Sequence, residues 1–265
     1  MRSSDFEPGH QRAPSPGAPG GAGEDHSELD GAQLAALYAR RFEGAGQARR
    51  RGVWRALHDR WLGRYIDPDG ELLEIAAGHC EFINAARAQR RVALDLNPDT
   101  RKHAAPEVEV VLGAAERLAE LFAEARFRTV FTSNFFEHCR SRQAVLEVLG
   151  GVLEVLEPGG QLLVLGPNFR YCSGAYFDYF DHHLPLTDRS LCEALELCGF
   201  EIVERRARTL PFSFRSALPS WPWLVRIYLR IPLIWPIFGA QFFIVARRPV
   251  SVRAGLDGGP LCLGS

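Results

Sequence analysis

Apolar residues along the chain occur in short uninterrupted runs that alternate with segments of helical periodicity. Runs without polar alternation are typical of strands that are covered on both faces, as in a parallel sheet between two layers of helices. The connections between the runs and the helical segments are short. The pattern therefore predicts an α/β, doubly wound, Rossmann-like fold, whose first five strands are Leu72–Ala76, Arg91–Leu96, Val108–Leu112, Phe127–Ser133 and Gln161–Leu165.

The final part of the pattern predicts a different end to the sheet. Thr187 is a predicted N-cap for a helix over Asp188–Cys198, and a sixth strand follows over Phe200–Arg205. The last strand, Gln241–Ala246, comes after a segment dense in aromatic residues and prolines. Two closing strands joined in this way suggest an antiparallel hairpin that is interrupted by an insertion.

The same pattern divides the chain into regions. Residues 1–27 are mostly Pro, Gly, Ser and Ala, a composition that predicts a disordered N-terminal tail, and residues 251–265 are expected to form a flexible tail. Residues 28–66 carry two predicted helices that would form a cap on the core. The main α/β domain is predicted over residues 67–250, with residues 211–240 as its apolar insertion or lid.

Composition narrows the class of protein. The chain has 265 residues, of which 46% are apolar and 24% are charged, so it can bury a substantial core as an ordinary soluble protein. Its formal net charge is −1. A protein that binds nucleic acid through phosphate contacts is expected to be basic, so no nucleic-acid partner is predicted.

The six cysteines lie far apart, without a C-x-x-C pair and without a histidine at ligand spacing. Neither a disulfide framework nor a structural metal site is therefore expected, and a reduced compartment is favoured. The N-terminal residues contain no apolar segment of the kind found in signal peptides. The expected localisation is cytoplasmic.

The stretch Glu71–Asn97 carries the first sign of a ligand site. It predicts a buried strand, a tight turn at Ala77 and Gly78, a helix that opens near Cys80, and a second strand that reaches Asp95. Glycine allows the backbone to approach a ligand closely, and an acidic side chain at the end of the second strand can accept hydrogen bonds from ribose hydroxyls. The stretch therefore predicts half of a nucleotide-binding unit.

Four segments in order, LLEIAAGHCEF, VALDLNP, FRTVFTSNFFEH and LEPGGQLLVLGPN, resemble the motifs of class I S-adenosylmethionine-dependent methyltransferases that act on small molecules. The resemblance spans residues from Asp69 to Arg248. It implies a seven-stranded sheet with an antiparallel last strand and S-adenosylmethionine as the cofactor. The segments GHCEFIN, GPNFRY and FDHHLPLTDRSL also resemble bacterial methyltransferases associated with polysaccharide assembly, which implies a sugar or lipid-linked acceptor.

The resemblance implies roles for particular residues. The first loop would wrap the methionine end of the cofactor, the residues after the second strand would meet the ribose and the adenine, the segment after the third strand would flank the adenine, and the end of the fourth strand would lie near the sulfonium. In that order, the implied cofactor-binding residues are Glu74, Ala76, Gly78, Asp95, Leu96, Ala115, Glu116, Ser133 and Asn134.

The chain departs from the family's usual glycine-rich loop at two positions. Ala76 and Cys80 stand where the family has its first and third glycines, and Ala114 replaces an acidic residue that often follows the third strand. Alanine is compatible with a backbone φ below zero, and Cys80 is expected to lie already in the helix. Only Gly78 is then required to be glycine.

Two histidines are candidate catalytic residues. Methyl transfer from a sulfonium is an in-line displacement, which needs a base only if the acceptor loses a proton. His138 follows the fourth strand and would lie near the transferred methyl group, although Glu137 and His138 could instead cap a helix or bond a neighbouring loop. His182 is a second candidate for acid or base chemistry.

The segment from Tyr171 to Thr187 is predicted to be a loop over the acceptor pocket, where aromatic side chains suit a sugar ring or another flat substrate. Adjacent residues such as Asp181, His182 and His183 rarely bind one ion without a distant third ligand, so no metal is expected here. The residues of this substrate loop that are candidates for acceptor contacts are Tyr171, Tyr176, Asp178, Tyr179 and Asp181.

Residues 211–240 carry more apolar side chains than a lid requires. Prolines and arginines within the segment argue against a transmembrane helix. A helix over Trp221–Arg230 could lie in the interface of a bilayer, or it could pack on the sheet edge, on the N-terminal helices or across a dimer. The sequence leaves peripheral membrane contact and the oligomeric state open.

Together these features predict a methyltransferase that transfers a methyl group from S-adenosylmethionine to a small-molecule, sugar or lipid-linked acceptor. The alternative is a catalytically degenerate methyltransferase-like module that serves as a binding partner, which the substitutions at Ala76, Cys80 and Ala114 would favour. A nicotinamide-dependent oxidoreductase is disfavoured because the loop lacks three glycines in G-x-G-x-x-G spacing.

Overall fold

The computed structural model describes residues 46–212 and 221–250 of the chain. In this part of the chain, seven strands form one sheet with the order β3-β2-β1-β4-β5-β7-β6. Strand β7 is antiparallel to both of its neighbours, β5 and β6, and the pairs among the first five strands are parallel. This confirms the predicted Rossmann-like sheet, whose strands are β1 (Glu71–Ile75), β2 (Arg90–Asp95), β3 (Val108–Leu112), β4 (Phe127–Ser133), β5 (Leu156–Pro167), β6 (Glu201–Arg206) and β7 (Gln241–Arg247).

Helices cover both faces of the sheet and divide the core into two layers. One layer joins the sheet to the helices Arg142–Val155 and Asp188–Leu197. The other layer joins it to the helices Gln47–Arg60 and Pro222–Leu229 and to the loop after β1. In both layers the central strands contribute nearly fully buried aliphatic and aromatic side chains. The helices are α1 (Gln47–Arg60), α2 (Thr100–His103), α3 (Leu118–Leu121), α4 (Arg142–Val155), α5 (Phe169–Tyr176), α6 (Asp188–Leu197), α7 (Pro222–Leu229) and α8 (Trp235–Phe238).

Local sequence signals account for the helix ends. The Ser141 hydroxyl accepts a hydrogen bond from the backbone N–H of Ala144 at 3.1 Å and caps α4. Thr187 and Ser190 form a reciprocal capping box at the start of α6. Both contacts satisfy N–H groups that have no partner within the helix, and α6 begins where the sequence predicted.

The helix predicted to open near Cys80 is absent, and this part of the βαβ prediction is wrong. Residues 81–85 form consecutive turns between β1 and β2. Side chains take the backbone groups that a helix would use: Glu74 accepts from the N–H of Ile83 at 3.0 Å, and Arg91 donates to the carbonyls of Ile83 and Ala86 at 3.2 and 3.3 Å. These contacts stabilise the turns together with main-chain bonds from the N–H groups of Asn84 and Ala86 to the carbonyls of Cys80 and Phe82, at 3.0 and 2.9 Å.

The segment predicted as a substrate loop is partly helical. Helix α5 covers Phe169–Tyr176, so the irregular connection to α6 begins only at Phe177. Asn168 explains the start of this helix, because its side-chain oxygen accepts from the N–H of Arg170 at 3.3 Å. The amide nitrogen of Asn168 donates to Asp188 at 2.8 Å and thereby ties the start of α5 to the start of α6.

The apolar insertion folds as α7, a single 3-10 turn over Pro232–Ile234, and α8. Its inner face packs on the N-terminal helix region, where Trp235 is buried against Trp61 with ring centroids 5.1 Å apart. Within the residues that the structure describes, no helix has the length and apolar character needed to span a bilayer.

Three of the predicted regions lie wholly or partly outside the described residues. These are the N-terminal tail over residues 1–27, the first helix of the predicted cap over residues 28–66, and the tail over residues 251–265. Residues 213–220 of the insertion also lie outside them.

Candidate functional site

The predicted cofactor residues meet at one edge of the sheet. Strands β2, β1 and β4 are neighbours and run parallel, so their carboxyl ends lie side by side. Ligands of open α/β sheets bind in the crevice outside this edge. The structure therefore brings Ala76, Gly78, Asp95 and Ser133 to the edge at which the fold places a ligand.

The loop after β1 has an unusual backbone. Ala76, Gly78 and Cys80 all adopt left-handed conformations, with φ of 56°, 52° and 57°. The expectation that Ala76 keeps φ below zero is therefore wrong, and Cys80 is not helical. A non-glycine residue in this region costs about 1–2 kcal/mol, so Ala76 and Cys80 hold this backbone at a cost in stability.

Gly78 and Asp95 form the central contact of the site. The backbone N–H of Gly78 donates to one carboxylate oxygen of Asp95 at 2.7 Å, and the N–H of Asn97 donates to the other at 2.8 Å. A Cβ built on Gly78 would meet no heavy atom within 4 Å, so open space lies beside the loop. A positioned acceptor next to open space fits a ribose with two hydroxyl donors.

Burial raises the pKa of Asp95, and the backbone N–H donors of Asn97, Gly78 and Leu96 act in the opposite direction. Hydrogen bonds from N–H groups favour the ionised form of a carboxylate. The site therefore holds an acceptor that is partly desolvated and fixed in orientation.

Glu74 lies beneath the loop and not at its surface. Its side chain is buried, and the carboxylate accepts from the N–H of Ile83. Burial raises the pKa of Glu74 well above its usual range, and the nearby carboxylates of Glu81 and Asp95 act in the same direction. The structure thus places Glu74 where it supports the loop after β1.

The residues expected around the adenine surround the end of β2 and β3. Leu96 is 63% exposed although it is a large apolar side chain. Ala115 is buried and Glu116 is exposed, in a 3-10 turn over Ala115–Arg117 after β3. An exposed leucine directly after Asp95 can cover one face of a flat base, which is consistent with the expected role.

Ser133 and Asn134 lie at the carboxyl end of β4. Asn134 has a φ of 49° and is exposed, and its N–H donates to the carbonyl of Leu165 in β5 at 2.9 Å. Asparagine tolerates the left-handed conformation better than most residues. The turn after β4 therefore directs the chain along the edge of the sheet toward Glu137 and His138.

A polar cluster beside the loop after β1 was not predicted. Arg50 of α1 pairs with Glu81 at 2.9 Å and lies 3.4 Å from Nδ1 of His79, whose ring centroid is 4.1 Å from that of His103. Burial, the largest contribution, lowers the pKa of His79. No sequence motif marks this cluster, because its members come from α1, the turns after β1 and α2.

His138 contacts the segment between α5 and α6. Its Nδ1 lies 2.9 Å from the backbone carbonyl oxygen of Asp181 and 3.3 Å from the Asp181 carboxylate. The backbone N–H groups of His183 and Leu184 also donate to the carbonyl of Glu137, at 2.8 and 3.2 Å. His138 thus bonds a neighbouring loop, which is the structural role that the sequence left open beside the catalytic one.

His182 lies next to His138. Their ring centroids are 4.9 Å apart, and the His182 ring also stacks on Tyr179 with centroids 5.0 Å apart. His182 is 9% exposed. The structure therefore brings both candidate catalytic histidines together beside the carboxyl end of β4.

The other candidates for acceptor contacts separate into buried and exposed residues. Tyr176 is fully buried and its hydroxyl donates to the carbonyl of Leu184, so it is not open to an acceptor and acts as an internal support. Asp181 is also buried. Tyr171, on α5, and Asp178 are exposed, and Tyr179 is partly exposed.

Comparisons with known proteins agree with this geometry. Residues 73–164 match the family described as "Methyltransferase domain". No curated protein matches the chain by sequence.

Solved structures with the same fold include enzymes that use S-adenosylmethionine. A methyltransferase from Archaeoglobus fulgidus is similar over 80% of this chain and 99% of its own, with 17% identity and a TM-score of 0.57. A methyltransferase from Thermotoga maritima is similar over 82% of this chain and 96% of its own, with 16% identity and a TM-score of 0.55. The [4+2]-cyclase SpnF is similar over 79% and 86%, with 16% identity and a TM-score of 0.51.

The structural likeness extends over most of the chain, whereas the sequence match covers the part that runs from β1 to β5. That part includes the left-handed loop, Asp95 and the turn after β4. Residues 73–164 therefore resemble a methyltransferase domain, and the fold of the chain is one that S-adenosylmethionine-dependent methyltransferases share.

Proposed function

We propose that the protein transfers a methyl group to a small-molecule, sugar or lipid-linked acceptor at the carboxyl edge of β1, β2 and β4. The observation that carries the proposal is the contact between Gly78 and the Asp95 carboxylate beside open space. The bound cofactor supplies an electrophilic methyl group on a sulfonium. The protein's part is to position the acceptor in line with that group and to exclude water.

We assign the ends of the cofactor to different elements of the site. Asp95 accepts hydrogen bonds from the ribose hydroxyls, and Leu96, Ala115 and Glu116 flank the adenine. Ala76 and Gly78 present backbone groups to the methionine end, while Glu74 holds the loop from below. Ser133 and Asn134 border the sulfonium. The left-handed backbone at Ala76 and Gly78 and the exposure of Leu96 support this assignment.

His138 and His182 are the proposed catalytic residues. An acceptor hydroxyl must lose a proton during the reaction, and both imidazoles lie next to the segment that follows Asn134. Asp181 fixes the orientation of the His138 ring through its carbonyl and its carboxylate. A fixed ring at this position supports a role in handling the acceptor, and not only in packing.

The acceptor is proposed to enter between α5 and the segment that leads to α6. Tyr171 and Tyr179 keep part of their rings accessible, and Phe177 and Phe180 are 56% and 78% exposed. Partly exposed aromatic rings suit the apolar face of a sugar or the first part of a lipid chain. This surface is therefore our candidate for acceptor contacts.

We also propose that the outer face of the insertion contacts a membrane as a peripheral site. The inner face of the insertion packs on α1 and Trp61, which is one of the contacts expected if the insertion does not meet lipid. Its outer face carries exposed apolar side chains. A lipid-linked acceptor would be reached at such a surface. The large side chains exposed there are Trp221, Trp223, Ile227, Ile231, Leu233, Ile237 and Phe238.

Calorimetry with S-adenosylhomocysteine, the demethylated cofactor, tests the assignment of the site. Asp95→Asn keeps an oxygen for the Gly78 N–H but loses the charge, and charge-assisted hydrogen bonds contribute about 1.5–3 kcal/mol. We expect binding to weaken at least tenfold. Asp99→Asn is the matched control, because Asp99 is a surface carboxylate paired with Lys102 at 2.6 Å.

Equal affinity of Asp95→Asn and the unaltered protein would contradict the proposed site. Transfer is tested separately by the release of S-adenosylhomocysteine from S-adenosylmethionine in the presence of sugar and lipid-linked acceptors. Cofactor binding without transfer to any of them would support the alternative of a degenerate binding module. The SpnF cyclase shows that this fold also occurs in a protein named for a different reaction.

A further inference from the structure

Three side chains of types that can bind a metal ion, from distant parts of the sequence, meet beside the carboxyl end of β4. Glu137 and His138 belong to the 3-10 turn over Phe136–His138, and His182 belongs to the segment between α5 and α6. One carboxylate oxygen and two ring nitrogens of these residues lie within 4.8 Å of one another. In residues 46–212 and 221–250 it is the one group of three such side chains with this proximity.

The cluster is largely buried and contains a carboxyl group. Glu137 is 3% exposed and Asp181, which lies close to it, is 4% exposed. A metal ion bound to the Glu137 carboxylate would offset the cost of burying that group in its charged form.

The rings are held in fixed orientations. Nδ1 of His138 lies 2.9 Å from the backbone carbonyl oxygen of Asp181 and 3.3 Å from the Asp181 carboxylate. Metal-binding histidines usually bond a carboxylate or a carbonyl through their second nitrogen in this way. The His182 ring is fixed by stacking on Tyr179 and by an edge contact with Tyr176 at 4.7 Å.

The main chain also holds the two segments together. The carbonyl of Glu137 accepts hydrogen bonds from the N–H groups of His183 and Leu184. The residues on each side of the cluster are therefore fixed relative to one another before any ion binds. A framework of this kind is what a metal site needs from its surroundings.

We propose that Glu137, His138 and His182 bind one divalent transition-metal ion, with Asp181 as the partner that orients His138. Two imidazoles and a carboxylate suit zinc, cobalt, manganese or iron. Ligand atoms about 2.0–2.2 Å from an ion lie within about 4.4 Å of one another, so small side-chain movements complete the site. The sequence disfavoured a metal because Asp181, His182 and His183 lacked a distant ligand, and the end of β4 supplies two.

The role of the ion, unlike its binding, rests on the proposed function. Three protein ligands leave a position for an acceptor oxygen, and a bound cation favours loss of the proton from a hydroxyl. The proton passes to water, the oxygen forms a bond to the methyl carbon, and the bond between that carbon and sulfur breaks with its electron pair going to sulfur. His138 and His182 would then act by holding the ion.

The test uses the full chain, stripped of metal with a chelator and exchanged into clean buffer. Cobalt chloride is titrated while the visible absorption of bound Co²⁺ is recorded, and zinc chloride is titrated by calorimetry. We expect one ion per chain. His138→Gln and His182→Gln should each weaken binding by at least tenfold, which is the usual effect of losing a ligand or its partner.

Two control variants match the histidines. His183→Gln removes the exposed neighbour of His182, and His103→Gln removes one member of the His79 and His103 pair, which could bind cobalt by itself. Neither control should change the visible spectrum. Absence of Co²⁺ absorption at millimolar cobalt, or equal loss in the controls and the two ligand variants, would overturn the proposal.

Circular dichroism and calorimetry with S-adenosylhomocysteine separate the metal site from folding and from the proposed function. If a ligand variant stays folded and binds S-adenosylhomocysteine but not cobalt, the metal site is supported. If the unaltered protein binds S-adenosylhomocysteine and no metal, the metal site is refuted and the proposed function stands. If it binds cobalt but not S-adenosylhomocysteine, the metal site stands and the proposed cofactor site fails.

Discussion

Glu74 and Ile83 are joined inside the fold, where the buried carboxylate of Glu74 accepts a hydrogen bond from the N–H of Ile83 at 3.0 Å. This contact holds the turns that replace a helix between β1 and β2. It places an ionisable group directly beneath the loop that carries Gly78. The stability of the loop after β1 should therefore depend on the protonation of Glu74.

The first prediction concerns pH and stability. Because the folded protein raises the pKa of Glu74 well above its usual range, the unfolded chain releases this proton at a lower pH than the folded protein does. The contribution of Glu74 to stability is then greatest at low pH, and it decreases as the pH rises from the unfolded pKa toward the folded pKa. Glu74→Gln cannot ionise but still accepts from Ile83.

Urea denaturation at pH 5 and pH 8 measures this effect. We expect the free energy of unfolding to fall less between the two values in Glu74→Gln than in the unaltered protein. Glu147→Gln, at an exposed position on α4, is the control and should follow the unaltered protein. The prediction fails if Glu74→Gln and Glu147→Gln lose the same free energy.

The second prediction concerns the left-handed backbone of the loop. Ala76 has a φ of 56°, where glycine avoids the strain of a Cβ. Relief of strain and the greater freedom of glycine in the unfolded chain oppose each other, so Ala76→Gly should stabilise the protein by up to about 1 kcal/mol. Chemical denaturation measures the change.

Ala77→Gly is the matched control for Ala76→Gly, because Ala77 is the adjacent alanine and is not among the residues with positive φ. The same substitution should destabilise the protein there by about 0.5–1 kcal/mol, since it gains freedom in the unfolded chain without relieving strain. Destabilisation of similar size at both positions would show that Ala76 is not strained.

The third prediction concerns the support of the segment that carries His182. Tyr176→Phe keeps the buried ring but removes the hydroxyl that donates to the carbonyl of Leu184. A carbonyl in a partly buried contact that loses its donor costs up to about 1–3 kcal/mol. Thermal unfolding should show a lower stability for Tyr176→Phe and little change for Tyr171→Phe, where the ring is partly exposed. Equal effects would argue against an internal role for Tyr176.

Much of the fold follows from local signals in the sequence. The limits of β3 and β4 agree with the prediction because both strands are rich in β-branched and aromatic residues and are followed by turn residues, Gly113 and Asn134. The start of α6 agrees because Thr187 supplies a cap within three residues of its partner. Signals of this kind depend on neighbours in the chain, so they can be recognised without knowledge of the tertiary structure.

The features that were missed depend on contacts between distant residues. The turns after Gly78 replace a helix because Glu74 and Arg91, on two different strands, bond the backbone between them. The approach of Glu137 to His182 depends on how the segment after α5 returns to β4. Nothing in the local sequence around Glu137 specifies that return, so the cluster could be found only from the structure.

The last prediction concerns the outer face of the insertion. Trp223 and Leu233 are 58% and 87% exposed, and the chain has no aspartate or glutamate between Glu204 and Asp257. Arg226 and Arg230 are exposed on or directly after α7. Apolar side chains among arginines favour the surface of an anionic bilayer, where each arginine contributes about 1 kcal/mol.

Flotation of the full chain with vesicles of phosphatidylglycerol or phosphatidylcholine tests this prediction. The protein should float with the anionic vesicles and much less with the neutral ones. The double variant Trp223→Ser with Leu233→Ser loses two side chains worth about 1.5–3 kcal/mol each when buried, so its partitioning should fall at least tenfold. Leu197→Ser is the control, since Leu197 is 72% exposed on α6, outside the insertion. Equal flotation of the double variant and the control would mean that this face does not enter lipid, and its apolar side chains would then have to be explained by contact with another protein surface.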